Sequence, residues 1–172
     1  YQHLSSMANV HTAEQLDLDV PDDAYKRMAE ALRDGSWSDI EEQDWYDSAQ
    51  KMAEDDRFFH WELEFPIAFY QQDGERKENE GFDAVIGNPP YVQLSMQDEV
   101  PEALIDYLKE RYKSSMGRAI TFGFFTKLSI DVSNNGGNTG IILPNTVLTS
   151  SYYEDLRKMI MRDSRIDSIL HI

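Results

Sequence analysis

Four consecutive residues, Asn88-Pro89-Pro90-Tyr91, bring together the groups needed to hold a flat, amine-bearing molecule. The Asn88 side chain offers an amide oxygen and an amide NH2. Pro89 and Pro90 fix successive φ angles and remove backbone donors, which leaves a stiff loop rich in acceptors. Pro89 also pushes Asn88 away from the α region. Tyr91 adds a flat aromatic face. A loop of this kind can grip a planar group with an exocyclic amine. In a generic chain a Pro-Pro dipeptide means a turn, with Asn as turn former and Tyr as core, so the surrounding elements have to decide.

Those elements read as a strand delivering a loop. Ala84, Val85 and Ile86 suit a short strand covered on both faces. Gly87 lets the backbone turn there or lets a ligand approach closely. Downstream, 93–99 is a polar loop, and a helix fits 100–114 through Val100, Leu104, Leu108 and Tyr112. A mostly buried helix fits 118–132, with Ile120, Phe124, Phe125, Leu128 and Val132 apolar. Asn134-Asn135-Gly136-Gly137 reads as a turn, 140–144 as a second buried strand, and 165–172 as a third. Ser151 and Glu154 form a capping box that opens a helix to about residue 162. Strand, helices, strand, helix, strand argues for a parallel sheet with right-handed crossovers, hence an α/β fold. Ligands of such sheets sit at the carboxyl ends of the strands, where Asn88 would stand.

The upstream part has a different character. Residues 1–20 show no clear period and read as a loose arm. Pro21-Asp22-Asp23 signals a helix start, followed by Ala24, Met28, Ala31 and Leu32 at helical spacing and by Gly35 as a C′ residue. A capping box at Ser38 and Glu41 opens a second helix to about residue 56, with Ile40, Trp45, Ala49 and Met52 on one face. The expected division is an acidic arm and helical hairpin over 1–57, then the catalytic part over 58–172. Residues 58–70 are aromatic-rich and are expected against the main sheet, and 71–80 reads as an exposed loop.

Composition bounds the chemistry. The 172 residues can bury one core, and no Cys is present. That removes disulfides, thiolate metal sites and cysteine nucleophiles. His3, His11, His60 and His171 are scattered without metal-ligand spacing, so no metal is expected. No apolar run approaches the length of a membrane span or a signal peptide, so the chain reads as soluble and cytoplasmic. It begins at Tyr1 rather than Met, as expected of a piece of a longer protein. The formal net charge is −16, and it is unevenly spread. Residues 1–80 hold 21 acidic and 7 basic side chains, whereas 81–172 hold 11 and 9. A halophile's acid-coated surface, an upstream segment facing away from DNA, and a basic reading domain elsewhere in the polypeptide would each account for this.

The complete run Gly81-Phe82-Asp83-Ala84-Val85-Ile86-Gly87-Asn88-Pro89-Pro90-Tyr91-Val92 resembles the catalytic motif of adenine-specific (N6) DNA methyltransferases of restriction-modification systems. Within them it is similar to the Eco57I-like type II methylases. Phe59-His60-Trp61-Glu62-Leu63-Glu64-Phe65-Pro66 resembles the stretch that precedes the catalytic strand in that group. The resemblance implies the C-terminal half of a Rossmann-like, S-adenosylmethionine-dependent methyltransferase sheet, preceded by a helical segment. It implies that Asn88, Pro89 and Tyr91 are catalytic. The Asn88 side-chain oxygen and the Pro89 carbonyl would accept the two N–H groups of the adenine amine, and Tyr91 would stack on the flipped base. Asn88 would also lie near the cofactor's methyl group, while Gly87 and Pro90 would shape the loop. The implied partners are double-stranded DNA with a flipped adenine and the remaining methyltransferase and target-recognition regions of the same polypeptide.

Other residues are weaker candidates. Asp83 reads as a hydrogen-bonding residue of the strand, Asn145 as a turn residue within reach of the site, and His60 as part of an aromatic cluster. Arg111, Lys113 and Arg118 could touch phosphate, although a solvated face explains them better. The glycine-rich cofactor loop of the resembled family has no counterpart before residue 82. Gly136-Gly137-Asn138-Thr139-Gly140 leads into a strand rather than from a strand into a helix, which fails the context of a cofactor fingerprint. The main cofactor site is therefore expected outside this chain, and the chain alone is expected to be inactive. RNA-adenine and protein-glutamine methyltransferases share Asn-Pro-Pro-Tyr and form an alternative. A non-catalytic interaction module built on the acidic hairpin is another.

Overall fold

In the computed structural model, residues 2–96, 100–112 and 119–171 are described. The chain divides into two compact units, Tyr1–Pro66 and Ile67–Ile172.

The first unit is helical. Its elements are α1 (Gln2–Gln15), α2 (Ala24–Asp34), α3 (Trp37–Glu41), α4 (Asp44–Asp55) and the single turn α5 (Trp61–Glu64). Residues 2–15 are therefore a helix rather than the expected arm. Its buried face is Ser6, Val10 and Ala13, a stripe too small and too polar to announce itself as amphipathic. The core joins Val10 and Ala13 to Met28, Ala31, Trp37, Ile40, Tyr46 and Ala49. Gly35 ends α2 in the left-handed region, at φ 80°, as a C′ glycine should. The helix expected from Ser38 to about residue 56 is instead two. Gln43 adopts an extended backbone (φ −87°, ψ 131°), and the chain turns between α3 and α4. Ser38 lies inside α3, where it cannot serve as the cap of a box. Phe59, Trp61 and Phe65 pack on one another, with Phe59 and Trp61 edge to face at 4.9 Å.

The second unit carries the site. After the turn α6 (Pro66–Phe69) come β1 (Phe82–Gly87), α7 (Glu102–Tyr112), α8 (Thr121–Asp131), β2 (Ser133–Ile141), the turn α9 (Thr146–Thr149) and α10 (Glu154–Asp163). The strands β1 and β2 are parallel neighbours in a two-stranded sheet, with α7 and α8 between them in sequence. Phe69 meets Phe82 edge to face at 5.7 Å and tethers the start of β1. Phe122, Val147, Leu156 and Met159 form the buried cluster beneath α8, α9 and α10. Lys127 of α8 bridges Asp163 of α10 at 3.4 Å and also pairs with Asp131.

Four expectations change here. The second strand begins at Ser133, ahead of the expected 140–144, and takes in Asn134 to Gly137. That segment is a bulge rather than a turn between elements. Phe82 faces Ser133 and Ala84 faces Asn138, so β2 runs out extra residues opposite Asp83. Turn-forming residues suit a bulge for the reason they suit a turn. The expected strand over 165–172 is irregular through residue 171, with Ile169 and Leu170 exposed. The third concerns burial. Ile86, read as covered, is 86% exposed, because the two-stranded sheet lays no second layer over that side chain. At α10 the cap falls one residue earlier than the expected box. The Ser150 hydroxyl accepts from the Tyr152 N–H at 3.2 Å, starting a 3₁₀ turn that runs into the helix.

Candidate functional site

The loop Asn88–Tyr91 leaves the carboxyl end of β1. Strand pairing sets where it starts, since the Ile142 N–H donates to the Gly87 carbonyl at 3.1 Å just beyond the ladder. Gly81 sets the other end of the strand. Its φ is 112°, and a Cβ there would lie 2.6 Å from the Val132 carbonyl oxygen, so only glycine lets the two backbones approach. Gly137 is constrained in the same way, with a Cβ position 2.8 Å from the Phe82 carbonyl oxygen. Backbone contact thus explains Gly137 of β2, whereas Gly136 is explained by its positive φ of 95°.

Within the loop, Asn88 and Pro90 are exposed and Pro89 is buried. Tyr91 is 50% exposed. The Tyr91 hydroxyl donates to the Ile142 carbonyl at 3.1 Å, and Asn88 Oδ1 lies 3.4 Å from the same hydroxyl. One hydroxyl carries one proton, and the nearer acceptor takes most of it, so the Asn88 oxygen keeps capacity for another donor. Among the described residues the Pro89 carbonyl and the Asn88 amide nitrogen make no hydrogen bond. The Tyr91 ring meets Phe122 edge to face at 5.8 Å and 88°. Phe122 is buried and in turn packs on Tyr153 at 5.5 Å.

The loop is tied down on its far side by the residues that open α8. Gln93 and Ile120 form an antiparallel bridge, and the Leu94 N–H donates to the Ala119 carbonyl at 2.8 Å. The Thr121 N–H donates to the Val92 carbonyl at 2.9 Å. The Thr121 hydroxyl accepts from the Val92 N–H at 3.0 Å and lies 2.5 Å from the Pro90 carbonyl oxygen. An exposed Asn88 next to the carbonyl of buried Pro89, with a half-exposed ring beside them, offers two neighbouring acceptors for the N–H groups of a planar amine and a face to cover it.

The remaining candidates fall as follows. Asp83 Oδ1 accepts from Asn134 Nδ2 at 2.7 Å, so it buttons the bulge of β2 to β1. Gly87 has φ outside the left-handed region, and a Cβ there would meet only Ile141 Cδ1, at an ordinary 3.5 Å. Asn145 is exposed, precedes α9 with no side-chain capping bond, and its carbonyl accepts from the Leu148 N–H at 3.0 Å. His60 Nε2 pairs with Asn9 Oδ1 at 2.8 Å in the first unit. Burial there holds its imidazole below the ordinary value, against a raising influence of Glu64. His3 packs on Trp37 at 4.4 Å. Among the described residues no group of His, Asp or Glu could hold a metal ion. Arg111 is exposed beside Tyr112, while Lys113 and Arg118 lie outside the described residues.

Sequence reasoning missed Thr121, Phe122 and the Ile142 carbonyl. Thr121 reads as an ordinary helix-start residue and Phe122 as ordinary core. A main-chain carbonyl carries no sequence signal at all.

With this geometry in hand, known proteins can be compared. The family model for the Eco57I restriction-modification methylase matches residues 5–172. Type II methyltransferase M.BstVI of Geobacillus stearothermophilus is 29% identical over 112 residues, covering 65% of this chain and 19% of that protein. Type II restriction enzyme and methyltransferase RM.Eco57I of Escherichia coli is 26% identical over 92 residues, 54% of this chain and 9% of that protein. Type II methyltransferase M.XhoI of Xanthomonas vasicola is 33% identical over 82 residues, 48% of this chain and 14% of that protein. The chain thus spans less than a fifth of the length of these curated relatives. No solved structure matches it.

Proposed function

The chain belongs to the Eco57I restriction-modification methylase family, and from that premise we propose that it is the catalytic segment of an adenine-N6 DNA methyltransferase. The observation that carries the reading is the pair of acceptors after β1. An exposed Asn88 oxygen and an unpartnered Pro89 carbonyl stand beside the half-exposed Tyr91 ring. An aromatic exocyclic amine is a poor nucleophile because its lone pair is conjugated to the ring. Accepting both of its N–H groups turns the lone pair out of conjugation and stabilises positive charge as it develops on nitrogen. The same bonds orient the nitrogen for in-line attack. Tyr91 would stack on the base once it has left the duplex.

S-adenosylmethionine is the methyl donor in this reading, and it supplies an electrophilic sulfonium methyl when bound. Asn88, exposed just after β1, would lie near the methyl end of that cofactor. Gly137 of β2 serves close contact with the β1 backbone. The rest of the cofactor site belongs to other parts of the polypeptide, as does the larger Rossmann-like sheet that β1 and β2 would join. The substrate is double-stranded DNA, acted on in the prokaryotic cytoplasm. The test is Asn88→Ala in the complete protein, assayed for N6-methyladenine in unmethylated bacterial DNA. A fall of about 10²–10³ in kcat is expected on removing one such acceptor. Unchanged adenine methylation would exclude the role given to Asn88.

A further inference from the structure

The Asn88–Tyr91 loop depends on one side chain from another element. We propose that Thr121, the first residue of α8, is a positioning residue that fixes the acceptor loop in its working shape. The inference rests on the methyltransferase reading above.

The argument starts from the freedom the two prolines leave. Each ring locks its own φ but not the ψ that follows. Rotation about the Pro90 ψ would swing the Pro90 carbonyl one way and the Tyr91 ring the other. The Thr121 hydroxyl lies 2.5 Å from the Pro90 carbonyl oxygen, to which it donates its single proton, and this bond fixes that rotation. The Thr121 hydroxyl oxygen in turn accepts from the Val92 N–H at 3.0 Å. Tyr91 therefore sits between peptide groups pinned to one atom. The Val92 carbonyl, 3.2 Å from the hydroxyl, is served by the Thr121 N–H at 2.9 Å, which closes the clamp. The next residue, Phe122, sets the tilt of the Tyr91 ring from below. Thr121 touches neither the place of the amine nor the methyl group. It acts through the loop, by holding the Pro89 carbonyl and the Tyr91 ring in one relative geometry.

Threonine suits the task for a physical reason. Its β-branch restricts χ1, so the hydroxyl is aimed before any substrate arrives. Serine keeps the hydroxyl with a looser rotor, and valine keeps the shape and removes the hydroxyl. A misplacement of about 1 Å at a reacting centre costs roughly 10²-fold in rate, so loss of the clamp is read in turnover rather than in cofactor binding.

The experiment compares the complete protein with its Thr121→Val, Thr121→Ser and Asn88→Ala variants. Substrates are unmethylated bacterial DNA and radiolabelled S-adenosylmethionine, and the readouts are N6-methyladenine formed, kcat and KM for the cofactor. Thr121→Val is expected to lower kcat at least tenfold with KM for S-adenosylmethionine within twofold of wild type, and Thr121→Ser to recover most of the rate. Should Thr121→Val fail to fold, Thr121→Ala is read in its place with the same expectation. A Thr121→Val or Thr121→Ala protein within twofold of wild type, beside an inactive Asn88→Ala, overturns the positioning role and leaves the methyltransferase reading standing. A Thr121→Ser protein as slow as Thr121→Val overturns it too, because the hydroxyl would then not be the cause. Wild-type protein that forms no N6-methyladenine overturns the underlying reading and this inference with it.

Discussion

At the residue scale the site is a division of labour between carbonyl oxygens and one ring. Tyr91 has separable parts. Its face is half exposed, while its hydroxyl is committed to the Ile142 carbonyl at 3.1 Å. Removing the hydroxyl alone, as in Tyr91→Phe, deletes a neutral hydrogen bond and leaves the stacking face. Removing the ring, as in Tyr91→Ala, would under the proposed reading also delete base stacking, worth about 1–3 kcal/mol per base. Under the proposed reading, Tyr91→Phe is expected to stay within about tenfold of wild-type kcat/KM for DNA, since a net hydrogen bond contributes about 1 kcal/mol. Tyr91→Ala is expected to fall further. Steady-state kinetics on both variants checks the order, and equal losses would show that the hydroxyl rather than the face matters. The candidate site residues visible in the chain are those carried by a distinctive string. Thr121 could not be read because its value lies in its distance to Pro90 and Val92, some 30 residues away in sequence.

At the scale of elements, legibility followed how strongly each segment announces burial. The apolar run of β1 between Gly81 and Gly87 marked a strand, and the structure has it there, paired in parallel with the next strand. Gly35 marked a helix end correctly for the conformation it adopts. Helix α1 escaped because it buries Ser6 and Ala13 as much as Val10. The break between α3 and α4 escaped because Glu42 and Gln43 are unexceptional in a helix, and only packing turns the chain there. The early start of β2 escaped because glycine and asparagine usually end strands, whereas here they form a bulge held by Asp83 and Asn134. The β1–β2 contact makes its own prediction. Gly81→Ala places a methyl group against the Val132 carbonyl and strains a left-handed φ. It is expected to cost at least about 1–3 kcal/mol in the second unit, read as a lower midpoint in urea unfolding of the chain. An unchanged midpoint would mean that the strand start shifts freely, contrary to its contacts.

At the scale of the whole molecule, the chain separates a helical, strongly acidic first unit from a second unit that bears the loop. No described helix is long and apolar enough to cross a membrane. The proposed function places most of the cofactor-holding residues outside this chain. Isothermal calorimetry on the chain alone is therefore expected to show no tight uptake of S-adenosylmethionine, and micromolar binding would contradict the proposed division of the site. The charge matters for handling as much as for DNA. A formal −16, most of it carried by residues 1–80, opposes the approach of a second copy, while the near-neutral 81–172 segment leaves the loop open to DNA.

The two-stranded sheet gives that last balance a practical edge. Among the described residues β1 and β2 pair only with each other, so each has an outer flank of main-chain groups without a neighbouring strand, and Ile86 projects beside one of them. Such a flank is a template for like strands. What keeps copies apart is mutual repulsion, which added electrolyte shortens to a reach of about 3 Å at 1 M. The chain is therefore expected to stay dispersed in dilute buffer and to self-associate as ionic strength rises, a trend that light scattering across a salt series would register. Particle size independent of salt would show that the sheet's flanks are shielded by something other than charge.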